Sequence, residues 1–357
     1  MKENTGQGPT TDKIEPATMK EIARLAGVSI GTVDRVLHRR GRVSPENVAK
    51  INAIVAESGY RPNVFASRLS GGTAVRTIGV LMPEADQDFG YWRLIRNGIE
   101  KSARELEPLQ VAVTIETFDR NSPEKCAEAF RDLTVSGCRA LAIAPIHSRV
   151  LRPLVEALEP SLPLVFFDTD MACARPRCFV GQDPWQGGYL AGKLLGLTLE
   201  PGRPMILVRF DEDDEHLQKR SEGFEAYAKG SARQVLVLEQ KIADPLDRRR
   251  ADTALFLARH PAAGGMFVPN ASVGEYALAG LGRRMVGYDL IPGNIAALRE
   301  GRLDFVLSQR PEVIGYEAVR QLSRVLLFRE PLPDRIGLPL DVILKENLEG
   351  HLEGISS

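Results

Sequence analysis

From Thr77 onward, short apolar runs alternate with amphipathic stretches. The runs are Thr77–Met82, Val111–Thr117, Ala140–Ala144, Leu164–Phe167, Met205–Phe210, Val235–Leu238, Gly265–Val268, Met285–Tyr288 and Phe305–Leu307. Most are apolar at successive rather than alternate positions, the pattern of parallel strands covered on both faces. Tyr91–Glu105, Pro123–Ser136 and Glu275–Leu281 lie between them and carry apolar residues at helical spacing. This alternation predicts an α/β body with parallel sheets flanked by helices. Nine strands exceed what one small domain holds, so two similar lobes are expected.

The amino-terminal part follows a different period. In Thr18–Gly59, Ile22, Ala23 and Ala26 fall on one helical face, and Val33, Val36 and Leu37 on another. Thr18 and Glu21 form a capping box. Gly27 supplies a tight turn, Ser29 caps a second helix, and Ser44-Pro45 opens a third that places Val48, Ile51 and Val55 inward and stops at Gly59. Three short helices with this turn have helix-turn-helix grammar. Tyr60–Gly72 then offers Asn63 as a cap for a helix running to about Leu69, too short to hold in water alone. Such a segment would order on DNA, with Leu69 as an apolar wedge in the minor groove.

Charge sharpens this picture. Nine Lys and Arg stand against four Asp and Glu from Thr18 to Gly72, whereas the whole chain sums to −1. A basic head on an acidic body is the footprint of a nucleic-acid-binding module. Residues 1–17 are polar and read as a disordered tail without a signal peptide or anchor. No stretch reaches the roughly 20 apolar residues of a membrane helix. The four cysteines lack paired CxxC spacing and read as reduced thiols of a cytoplasmic protein.

Ile22-Ala23, Ala26–Ser29, Thr32-Val33, Arg35–Leu37, Val43-Ser44, Tyr60, Pro62-Asn63, Ala66 and Leu69 together resemble the DNA-binding head and hinge helix of the lactose-repressor (LacI/GalR) family of transcription regulators. The resemblance implies that the second helix enters the major groove of a palindromic operator and that paired hinge helices enter the minor groove. The DNA-contacting set it implies is Thr18, Ser29, Ile30, Gly31, Thr32, Arg35, His38, Arg39, Asn63, Ala66 and Leu69, with Arg35 reading a guanine edge. Ile30 and Gly31 stand where the family places its variable base readers, so sequence preference would rest on Arg35, the hinge and DNA shape.

Ligands of open parallel sheets sit beyond the carboxyl ends of strands. Asp88, Tyr91 and Trp92 follow the first run, Asp168 and Asp170 the fourth, Asp211 to His216 and then Arg220 the fifth; Asn270, Asp289 and Gln309 end later runs. Carboxylates, amides and an arginine around aromatic faces suit a polyhydroxyl ligand. Val180–Asp183, Arg220–Phe224, Val268–Asn270, Val286–Asp289 and Gln309–Pro311 with Gly315 resemble the type 1 periplasmic-binding-protein fold, of the ribose-binding kind. That likeness implies effector contacts from Asp88, Tyr91, Trp92, Asp168, Arg220, Asn270, Asp289 and Gln309 in a cleft between lobes.

The expected organisation is a tail at 1–17, a head at 18–62, a hinge at 63–72 and a body at 77–350. Lobe 1 would take about 77–182 and 310–334, and lobe 2 about 183–309 and 335–350. The acidic run Asp211–Glu215 with His216 lacks the alternation of a calcium loop and reads as a solvated or cleft-edge loop. His147 reads as a capping or surface residue. No catalytic triad, phosphate loop, metal site or cofactor motif is visible. The expected function is a sugar- or polyol-controlled, homodimeric DNA-binding repressor without enzyme activity. The alternatives are a transport-type sugar receptor or, failing that, an α/β enzyme.

Overall fold

In the computed structural model the described residues are 19–37, 41, 43–58, 75–175, 177–210, 214–278 and 283–356. The expected tail, Thr18, His38, Arg39, the hinge with Asn63, Ala66 and Leu69, and acidic residues 211–213 lie outside them. Contacts divide the chain into two units, 1–73 and 74–357.

In the first unit, α1 (Met19–Ala26), α2 (Ile30–Leu37) and α3 (Pro45–Glu57) enclose Ile22, Ala23, Ala26, Val33 and Ile51. Gly27 ends α1 at φ +70°, and the Val28 amide bonds back to the Ala23 carbonyl at 3.0 Å. This left-handed closure satisfies carbonyls the helix leaves open and turns the chain into α2. Ser29 caps α2, its Oγ accepting from the Thr32 amide at 3.1 Å. Ser44 caps α3 by accepting from the Asn47 amide, with Pro45 at the first helical position. Of the three residues expected inward on α3, only Ile51 is fully buried; Val48 and Val55 are half-buried.

Among the described residues, the second unit contains twelve strands in two six-stranded sheets. Lobe 1 holds β1 (Arg76–Pro83), β2 (Val111–Phe118), β3 (Ala140–Ile143), β4 (Leu164–Phe167), β5 (Cys178–Gly181) and β11 (Arg335–Gly337), in the order β11-β5-β4-β3-β1-β2. Lobe 2 holds β6 (Met205–Phe210), β7 (Val235–Gln240), β8 (Gly265–Phe267), β9 (Arg284–Tyr288), β10 (Phe305–Ser308) and β12 (Asp341–Ile343), in the equivalent order β12-β10-β9-β8-β6-β7. All nine expected strands are present, and β5, β11 and β12 are additional. The sheets are parallel except that β12 runs antiparallel to β10.

Covering helices include α4 (Tyr91–Leu106), α5 (Pro123–Val135), α6 (Ser148–Glu156) and α12 (Pro311–Phe328) in lobe 1. In lobe 2 they include α7 (Pro184–Thr198), α8 (Glu215–Gly230), α9 (Leu246–Arg259), α10 (Val273–Ala277), α11 (Pro292–Arg299) and α13 (Leu348–Ser356). The chain passes between lobes after β5, after β10 and after β11. The third passage lies between Gly337 and Asp341, beyond the expected 334/335 boundary, because β11 pairs with β5 in lobe 1 before the chain leaves. The paired helices of each lobe cross at glycine. A Cβ on Gly188 of α7 would lie 1.8 Å from the Arg220 carbonyl of α8, and one on Gly98 of α4 would lie 1.9 Å from the Glu312 carbonyl of α12. Only the missing side chain permits such backbone approach. In lobe 2 this contact sets the depth of Arg220.

Candidate effector site and second head helix

Asp168 follows β4 and Asp289 follows β9, the equivalent strands of the two lobes, and both take left-handed φ values, 67° and 65°. Aspartate tolerates this region better than most residues. The turn points each carboxyl into one cavity of about 40 Å³, lined by Asp88, Tyr91, Trp92, Asp168, Arg220, Asn270, Asp289 and Gln309. All eight residues expected at the effector site therefore meet in one place. Asp170, also expected beyond β4, instead pairs with Arg177 at 2.9 Å away from the cavity.

The cavity has two polar networks. In the first, Tyr91 Oη donates to Asp168 Oδ1. Gln309 Nε2 donates to Tyr91 Oη and to Asp289 Oδ2, each at 2.9 Å. Arg220 Nη2 donates to Gln309 Oε1 and Nη1 to the Pro269 carbonyl, each at 2.7 Å. Arg220 is 1% exposed, and its guanidinium lies 3.4 Å from the Tyr288 ring centroid. With its amide oriented to satisfy both ends, Gln182 accepts from Arg220 Nη2 at 2.9 Å. Tyr91 and Asp168 belong to lobe 1, and Asp289 and Arg220 to lobe 2, so this network bridges the lobes.

The second network joins Asp88, Trp92, Asp214 and His216, all of which follow strand ends, to Arg120 and Thr169, which the strand-end pattern did not name. Trp92 Nε1 donates to Asp88 Oδ2 at 2.7 Å, and Arg120 Nε lies 2.8 Å from the same oxygen. Arg120 Nη2 reaches Asp214 Oδ2 across the lobes at 3.6 Å. Thr169 Oγ1 donates to Asp214 Oδ1 at 3.2 Å, as does the His216 amide at 3.1 Å. Of the expected solvated or cleft-edge loop, the last residues lie at the cleft and are buried there: Asp214 is 4% and His216 7% exposed. Capping α8 draws Asp214 inward, and lobe 1 covers it. His147 stands at the N-cap of α6, but its ring is buried rather than at the surface, its Nε2 within 2.9 Å of the Arg120 carbonyl. A signal for Arg120 was present in the sequence: it stands two residues beyond the carboxyl end of β2, the kind of position the other cavity residues occupy.

Burial dominates the electrostatics. It pushes the Asp289 pKa up to about 7, with repulsion from Asp168 adding and Arg220 and Gln309 opposing. Burial also raises Asp168 and, with the nearby Asp168 and Asp289 charges, Tyr91. At Asp214 burial is outweighed by His216 and Arg120, which hold the carboxyl well below the ordinary range.

In the head, Ser29, Ile30, Gly31 and Arg35 are exposed and Thr32 is half-buried, while Val33 faces the core. Arg35 Nε donates to the Gly31 carbonyl at 3.0 Å, which leans the side chain along α2.

Residues 78–330 match the periplasmic binding protein domain family. The chain belongs to that family. Residues 18–63 match the bacterial regulatory proteins of the lacI family, so this periplasmic-binding-protein body is joined to a lacI-type head. The sucrose operon repressor of Streptococcus mutans is 30% identical over 180 residues, 50% of this chain and 52% of the repressor. The chain thus spans about half the length of such regulators in alignment. The ribose import binding protein RbsB of Salmonella typhimurium is 24% identical over 309 residues, 84% of this chain and 100% of RbsB. A Bacteroides fragilis structure described as a LacI transcriptional regulator superposes with TM-score 0.71 at 22% identity, covering 78% of this chain and 99% of that one. Among the described residues, no helix is long and apolar enough to cross a membrane, and no cluster of three or more metal-ligating side chains occurs.

Proposed function

We propose that the chain is a DNA-binding transcription regulator, acting as a homodimeric repressor in the cytoplasm, controlled by a neutral sugar or polyol held between its lobes. The observation that carries this reading is the presence, in one chain, of a lacI-type head and a buried two-lobe cavity. Four carboxyl groups, those of Asp88, Asp168, Asp214 and Asp289, line that cavity with two guanidinium groups, Arg120 and Arg220. Such a wall offers many acceptors to hydroxyl protons, while Tyr91 and Trp92 offer faces to C–H groups. An anionic ligand would meet a surplus of carboxyls. Sucrose and ribose in the names of the relatives support a carbohydrate.

In a dimer, Arg35 and the phosphate-facing Ser29 and Thr32 of each head would engage one half of a symmetric operator. Effector would bind one arrangement of the lobes better than another and shift the population of DNA-competent dimers. The expected outcome is tight binding to DNA upstream of the gene that encodes the chain, weakening steeply as salt rises. Melting of the same protein in the presence of pentoses, hexoses and inositols should reveal at least one that raises Tm. Loss of DNA binding at low salt would overturn the regulator; failure of every neutral sugar and polyol would overturn the effector class.

A further inference from the structure

His216 is the second residue of α8, 7% exposed, and it lines the cavity between Asp214 and Leu217. Neither Nδ1 nor Nε2 has a hydrogen-bond partner among the described residues. Nδ1 lies 3.4 Å from Asp214 Oδ1, within ion-pair reach but without hydrogen-bond alignment. Leaving a buried imidazole unsatisfied is costly. The surrounding groups do not share this state. Asp214 already accepts from Thr169 and from the His216 amide, and Asp88 already accepts from Trp92. The network of Tyr91, Asp168, Arg220, Asp289 and Gln309 is likewise largely occupied with itself. A ligand entering there must exchange existing bonds, whereas at His216 it meets ring nitrogens without a hydrogen-bond partner among the described residues.

We propose that His216 binds the effector directly through a hydroxyl group, and that Asp214 and Arg120 hold this subsite so that it determines which hydroxyl pattern the cavity accepts. The inference rests on the reading that the cavity takes a sugar or polyol. An imidazole nitrogen can donate or accept a hydrogen bond, and a hydroxyl can answer either. A carboxylate or phosphate at the same point would face Asp88, Asp168 and Asp214 together. His216 is set on the first turn of a long helix, and its amide is fixed to Asp214, so the ring position is determined by the fold. Arg120 and Thr169 reach Asp214 from the opposite lobe, which joins this subsite to lobe contact.

The test is titration calorimetry on the full chain with D-ribose, D-glucose and myo-inositol, followed by monodeoxy analogues of whichever binds. His216→Phe should weaken binding about tenfold or more, the loss of one well-formed hydrogen bond. His216→Gln, which keeps a donor and an acceptor, should recover most of that loss. One monodeoxy analogue should bind the wild type weakly, yet His216→Phe should no longer distinguish it from the parent sugar. Should the larger ring prevent folding, His216→Ala carries the same comparison. Unchanged affinity in the folded variant, or undiminished discrimination between parent and every deoxy sugar, overturns the subsite while leaving the sugar reading intact. If the wild type binds DNA but none of the three probes nor any other pentose, hexose or inositol, the sugar reading falls and the subsite falls with it.

Discussion

Asp289 is 1% exposed and accepts from both the backbone and side-chain nitrogens of Gln309, at 3.2 and 2.9 Å. Its pKa of about 7 against an ordinary 3.8 corresponds to about 4 kcal/mol of resistance to ionisation. Between about pH 4 and 7 the folded body keeps a proton that the unfolded chain has released, so this group makes stability fall as pH rises. Asp214 acts in the opposite direction. Its carboxyl is held low, so its contribution is present above the unfolded value near 4 and is lost as pH falls through the folded value. Asp289→Asn should flatten the decline in Tm between pH 5 and 7.5 and weaken sugar binding about tenfold or more. A pH series of melting curves checks the first, calorimetry the second; an unaltered slope would count against the buried-proton account. Asp168 and Asp289 were legible because each follows an apolar run. Asp214 and His216 were legible as part of the polar stretch after the fifth run but not as buried contacts, because a polar run on a sequence gives no sign that the other lobe covers it.

At the scale of elements, the spacing of apolar residues located most of the body. Leu164–Phe167 and Met205–Phe210 coincide with β4 and β6, since strands buried on both faces are apolar at nearly every position; in β6 only Arg209 is polar, and it is half-buried. β11 and β12 escaped notice for the converse reason: each has three residues, and β11 is half-buried or exposed throughout. The head was legible from its caps, and the Gly27 turn and Ser44 cap both occur. Packing between α7 and α8 is less forgiving than propensity suggests. Gly188→Ala would favour the helix intrinsically by about 1 kcal/mol, but its Cβ would meet the Arg220 carbonyl at 1.8 Å. Overpacking of this kind costs typically about 1–3 kcal/mol, and displacing α8 also displaces Arg220. Urea unfolding should show a net loss of stability, and sugar affinity should fall with it. A stabilised variant with normal affinity would contradict the assigned role of this crossing.

The whole molecule combines a basic lacI-type head and a near-symmetric pair of lobes, and the duplication explains why the site is built from matching corners. Lobe 1 contributes Tyr91 and Asp168, lobe 2 contributes Arg220 and Asp289, and Gln309 stands where the chain leaves β10. Sequence patterns showed that two lobes existed and which residues ended their strands. They did not show the Arg120–Asp214 bridge, which depends on how two separately coded surfaces meet.

The three passages between lobes have a mechanical corollary. Two bodies joined by a single thread can twist, shear and swing independently; joined by three short, neighbouring strands of chain, they keep essentially one degree of freedom, a bend about a common axis. Binding energy released at the cavity then has one coordinate along which to act, and intermediate geometries are poorly populated. Scattering profiles collected during a sugar titration should accordingly cross at a common isoscattering point, as expected for exchange between two shapes, and a drifting crossing point would show that the joint yields in more than one direction.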